Sequence, residues 1–134
     1  MIVVDANILA YYYLDSEFSE MALTAFRKDA NWIAPVLWRS EFQNILAGYL
    51  RRKLIPLSQA TAIMDEAITL LEETEFQVPS HNVLYLVSKS ACSSYDCEYV
   101  ALAKQFDIPL LTNDKKVLDQ FPETAIGLDK FLNG

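Results

Sequence analysis

The chain has 134 residues and a net charge of -7, with 52% hydrophobic and 22% charged residues but only 3 Gly and 5 Pro. That composition excludes disordered, collagen-like and low-complexity classes, and the length suits one domain over residues 1–134 that needs no staple to fold. The acidic balance argues against a general nucleic-acid coat, yet leaves room for an acidic site that takes a divalent cation.

In chain order, Ile2, Val3 and Val4 form a β-branched run stopped by Asp5. Residues 19–29 have a helical pattern, with Ser19 as the expected N-cap. Trp32 and Ile33 read as a second strand ended by Pro35. Trp38, Phe42, Ile45, Leu46 and Tyr49 then make one stripe of a helix. Ala60, Ile63, Met64, Ala67, Ile68 and Leu71 make another, starting at Ser58 after Pro56. Phe76 and Val78 suggest a third strand, closed by Pro79, and a helix follows from about Ser80 to Ala91. Tyr95, Tyr99, Leu102, Ala103 and Phe106 mark the core stripe of a further helix. Ile108 to Leu111 reads as a fourth strand, Lys115 to Leu118 as a short helix, and Ala125 to Leu128 as a fifth strand.

Strands that alternate with helices imply right-handed crossovers and an α/β fold with a parallel sheet covered on both faces. Wholly apolar strands agree, because parallel strands are buried on both sides. Sites in such sheets form beyond the carboxyl ends of the strands. Asp5 follows the first strand, and Asp114 follows the fourth after Thr112 and Asn113. Asp96 opens the helix before that strand, and Glu41 lies early in an earlier helix, beside its apolar stripe, with Asn44 on the same face. Each acid has an ordinary structural use: Asp5 and Asp114 as caps, Asp96 as the N3 acid of a capping box with Ser93, Glu41 as a solvated side chain. Three or four acids at one crevice, however, repel one another unless a cation neutralises them. Oxygen donors suit Mg²⁺ or Mn²⁺, and such a cluster points to metal-assisted phosphoryl chemistry. No GxGxxG or GxxxxGK[ST] run supports a nucleotide cofactor.

The segments VVDANILAYYYL, RSEFQNIL and SYDCEYVALAKQFDIPLLTND, in that order, resemble the PIN domain, and more narrowly the VapC-type ribonuclease toxins. The resemblance covers the chain from Ile2 to the last strand. It implies a three-layer α/β/α sandwich of about five strands in the order 3-2-1-4-5. It also implies Mg²⁺- or Mn²⁺-dependent hydrolysis of RNA, a homodimer, and a cognate antitoxin as partner. The family's four acids fall on Asp5, Glu41, Asp96 and Asp114, which the resemblance makes catalytic and metal-binding. Asn7 and Thr112 match its small polar residues, placed behind the ligands or against phosphate. A further acid common in the family has no counterpart, since Lys116 and Val117 occupy those positions and Asp119 is offset.

The alternatives are a non-catalytic binding module on the same fold, engaging RNA or a protein, and a phosphoacceptor receiver domain. The receiver needs an acidic pair after the first strand and an acceptor Asp after the third, and the chain has neither. Arg39, two residues from Glu41, is expected to edge the site. Arg51, Arg52 and Lys53 read first as a solvated helix end and second as a phosphate-backbone contact. Tyr11, Tyr12 and Tyr13 sweep too wide an arc for one core face, so at least one is expected exposed or at an interface. His81 reads as a surface residue, Trp32 and Trp38 as core, and Cys92 and Cys97 as reduced, buried thiols. The longest uncharged stretch is too short and too polar to span a membrane, and the MIVVD start shows no leader pattern. No membrane association and a cytoplasmic location are therefore the expectation.

Overall fold

Every residue of the first strand is buried, and the two faces of the sheet explain why. In a computed structural model covering residues 1–134, Ile2 and Val4 point into one apolar cluster and Val3 into another. The same alternation sends Trp32 and Ala34 to the first cluster and Ile33 to the second, and splits Leu111 from Leu110. Each layer of helices thus receives every second side chain of each strand.

The elements run β1 (Ile2–Val4), α1 (Ala6–Tyr13), α2 (Ser19–Lys28), β2 (Trp32–Pro35), α3 (Trp38–Arg51), α4 (Leu57–Leu71) and β3 (Glu75–Phe76). They continue through α5 (Ser80–Ser88), α6 (Ser94–Phe106), β4 (Leu110–Leu111), α7 (Lys115–Gln120), β5 (Ala125–Ile126) and α8 (Leu128–Asn133). The sheet is wholly parallel in the order β3-β2-β1-β4-β5, as the resemblance implied. α1, α2, α3, α4 and α8 pack on one face, and α5, α6 and α7 on the other. No helix is long and apolar enough to cross a membrane.

Several boundaries differ from the sequence reading for local reasons. Ser19 is not the N-cap of α2. It is the first helical residue, and its hydroxyl donates 2.7 Å to the Leu14 carbonyl while Phe18 holds the cap position. Ser58 likewise lies inside α4, behind Pro56. The third strand is Glu75–Phe76 and leaves Val78 in the connection. α5 stops at Ser88, short of Ala91. Ile108 falls outside β4 because Asp107 ends α6 in the left-handed region at φ 53°, and Ile108 N–H turns back 3.0 Å onto the Ala103 carbonyl. Leu128 leaves β5 because Gly127 caps a further helix, α8, which the sequence reading does not contain. Tyr11, Tyr12 and Tyr13 are all half-buried rather than one exposed: their rings lie 4.9 Å from Phe18, 5.0 Å from Phe26 and 6.1 Å from Phe42.

Candidate active site

β1 and β4 are neighbours, paired through Val3 with Leu110 and Val4 with Leu111, so the residues just beyond them emerge side by side at the carboxyl edge. Asp5 caps α1 there, its Oδ1 accepting 3.0 Å from Ile8 N–H. Asp114 caps α7, its Oδ1 accepting 3.0 Å from Val117 N–H. Thr112 joins the two. It is 1% exposed, its hydroxyl donates to Asp5 Oδ2, and the same oxygen accepts 3.0 Å from Asp114 N–H. The cap role of each acid and its place at the crevice are therefore the same geometry.

α3 and α6 form the opposite wall. Ser93 caps α6, its hydroxyl accepting 3.1 Å from Asp96 N–H, so the Ser93 half of the capping box expected of Asp96 is present. Glu41, in the first turn of α3, accepts 2.6 Å from the Tyr99 hydroxyl through Oε1. These elements enclose a cleft of about 440 Å³ lined by Asp5, Glu41, Asp96 and Asp114 together with Asn7 and Thr112. Six of the seven residues singled out for the site thus share one cavity.

Arg39 is the exception, and it corrects the expectation. It does not line the cleft. Its guanidinium grips Glu75 of β3, with Nε 2.9 Å from Oε1 and a terminal nitrogen on Oε2, while Trp38 Nε1 donates 2.9 Å to the same Oε1. Two residues along a helix turn the side chain by about 200°, enough to carry position 39 off the face that holds Glu41. Asp119 also lies outside the cleft.

Two tyrosines of the cleft were missed. Tyr99, read as core, is 3% exposed yet directs its hydroxyl onto Glu41. Tyr95, read on the same core stripe, is 59% exposed and stands at the rim. A Tyr four residues after another looks like an apolar stripe in sequence, and nothing there reveals which hydroxyl finds a carboxylate.

The electrostatics are those of a crowded, acidic edge. Burial pushes the Asp5 carboxyl up from 3.8 to about 6, against the help of Thr112 and Ile8, and the charges of Glu41 and Asp114 push the same way. Burial raises Glu41 too, with Asp96 adding to it and the Tyr99 hydrogen bond opposing. Asp96 is raised by burial and then by Asp114, while Ser93 and the Lys116 ammonium offset part of this. No three acid, histidine or cysteine side chains form a ready-made chelate. The donors are nevertheless all oxygen, and a hard divalent cation is what relieves like charges of this kind.

Comparison with known proteins agrees with the fold. The PIN domain family matches residues 2–124. The chain is 29% identical over 124 residues to "Ribonuclease VapC3" of Pyrobaculum aerophilum, covering 90% of this chain and 95% of that one. The crystal structure of PAE2754 from Pyrobaculum aerophilum superposes with a TM-score of 0.76 at 16% identity, covering 98% of this chain and 86% of that one. FitAcB from Neisseria gonorrhoeae gives 0.73 at 13% identity, covering 96% and 98%.

Proposed function

We propose that this chain, which belongs to the PIN domain family, is a metal-dependent endoribonuclease and the toxin of a toxin–antitoxin pair. The observation that carries the reading is the convergence of Asp5, Glu41, Asp96 and Asp114 on one cleft, where Asp5, Glu41 and Asp96 have raised proton affinities. The likeness to a protein named a ribonuclease supports the substrate class. The functional unit is one domain over residues 1–134, acting in the cytoplasm as a homodimer that an antitoxin protein restrains.

Asp5, Asp96 and Asp114 would hold Mg²⁺ or Mn²⁺, with Glu41 as a further ligand or as the group that orients water. A cation bound there supplies a more acidic water and positive charge for the phosphodiester oxygens. The chain's own groups do the rest. Tyr99 fixes Oε1 of Glu41, which lines the cleft, and leaves Oε2 without a hydrogen-bond partner, available to take a proton from the attacking water. Thr112 keeps Asp5 and Asp114 in register. Asn7, on the first turn of α1, offers an amide to the phosphate. Hydrolysis then joins the water oxygen to phosphorus, and the leaving oxygen departs with a proton.

The test is cleavage of total RNA by purified protein with Mn²⁺, with Mg²⁺ and with EDTA, beside Asp96→Asn. Metal-dependent cutting that vanishes in the variant is expected. Lys116, standing where the family often has another acid, favours a second reading, a non-catalytic binding module. No cutting and no metal binding would select it.

A further inference from the structure

We propose that the exposed face of α3 is a track for the phosphodiester backbone of single-stranded RNA, leading from the cleft to an anchor at Arg51, Arg52 and Lys53. The inference rests on the nuclease reading and adds where the substrate strand runs. Glu41 and Asn44 line the cleft, and positions 48 and 52 continue the same helical face. From Glu41 to Arg52 that face extends about 16 Å along the axis. Its middle is Gly48, half-exposed and without a side chain.

Three observations point to the anchor. Arg51, Arg52 and Lys53 are exposed, and none of the three pairs with a carboxylate. They are 3 of only 11 basic residues in a chain of charge -7, so three consecutive unpaired bases concentrate positive charge at the far end of the helix that carries Glu41. Arg52 also lies back along the helix towards the cleft: its Nε donates 3.3 Å to the Gly48 carbonyl, and its guanidinium sits 5.0 Å from the Tyr49 ring centre.

Lys53 supplies the third, independent observation. It adopts φ 59°, the left-handed conformation that closes α3. Lys53 N–H donates 3.0 Å to the Leu50 carbonyl, and Leu54 N–H 3.0 Å to Tyr49. This is a helix stop that ordinarily takes Gly, because a side chain strains it. A Lys at such a position points to a use for its charge. Attraction to the helix C-terminal dipole is the purely structural explanation, and the experiment separates the two.

The experiment measures anisotropy of a fluorescein-labelled, mixed-sequence oligoribonucleotide of roughly a dozen nucleotides, in EDTA across a salt series. Wild type should bind with a clear salt slope. Arg51→Ala with Arg52→Ala should lower that slope by roughly 0.7 for each phosphate no longer neutralised, and raise KM for RNA far more than it lowers kcat. Arg52→Lys should keep most of the slope. Lys53→Gly should raise the melting temperature and yet weaken RNA binding, whereas a purely structural Lys53 would leave binding unchanged. Lys89→Ala with Lys130→Ala removes equal charge elsewhere. An equal loss in that control, or an unchanged slope in the arginine pair, would overturn the track. If wild type still cuts RNA and Asp96→Asn does not, the nuclease reading survives that failure. If wild type neither binds nor cuts RNA, both fall.

Discussion

The two ends of α6 treat acids in opposite ways. At its start, Asp96 faces Glu41, Asp5 and Asp114 across the cleft, and burial and mutual repulsion raise the proton affinity of Asp5, Glu41 and Asp96. At its end, Lys104 reaches Glu123 at 3.3 Å, and Glu123 is held below the usual range by its own backbone hydrogen bond and then by Lys104. Glu75, on the edge strand, is lowered likewise by Arg39 and Trp38. Glu75 and Glu123, away from the cleft, have partners that lower their proton affinity. Asp5, Glu41 and Asp96, at the cleft, are kept charged at a cost, a pattern typical of functional sites.

That contrast breaks most sharply at the cleft. Asp96→Asn should cut RNA cleavage by at least about a hundredfold while leaving the circular dichroism spectrum unchanged. Tyr99→Phe frees Glu41 without removing it. An activity loss of roughly tenfold or more and a stability cost of about 1–2 kcal/mol are expected, read by steady-state cleavage and urea unfolding. At the structural acid the outcome reverses: Glu75→Ala should cost about 1–2 kcal/mol, since it strands Trp38 Nε1 and Arg39, with cleavage per folded molecule unchanged. The smallest effect belongs to Gly48, which has no positive φ and room for a methyl 3.9 Å from Arg52. Gly48→Ala should stabilise by roughly 0.5–1 kcal/mol in the same unfolding assay.

The sheet was legible because its strands are apolar runs bounded by Pro, Asp and Gly, and because an acid after a strand is local information. Asp5, Glu41, Asp96 and Asp114 come together since parallel crossovers return every strand end to one edge. The features that stayed hidden depend on side-chain direction. Nothing local reveals that Arg39 turns to Glu75, that Tyr99 meets Glu41, or that Tyr95 stands at the rim. Strands of two residues such as β3 and β5 are set by their pairing partners rather than by their own sequence, so their limits were misplaced. α8 escaped because its six residues follow directly on a strand signal.

The most direct measurement is the melting temperature of wild type and Asp5→Asn in EDTA from pH 5 to 8, repeated with Mn²⁺. A carboxyl raised from 3.8 to about 6 binds its proton more tightly in the folded protein. Its contribution is therefore full at low pH and lost as pH rises through about 6, and this amounts to roughly 3 kcal/mol by neutral pH. Wild type in EDTA should lose stability over that range, Asp5→Asn should lose much less and melt higher at pH 8, and Mn²⁺ should restore wild type alone. Equal pH profiles for the two proteins, with no response of wild type to Mn²⁺, would contradict a cation-seeking cleft built around Asp5.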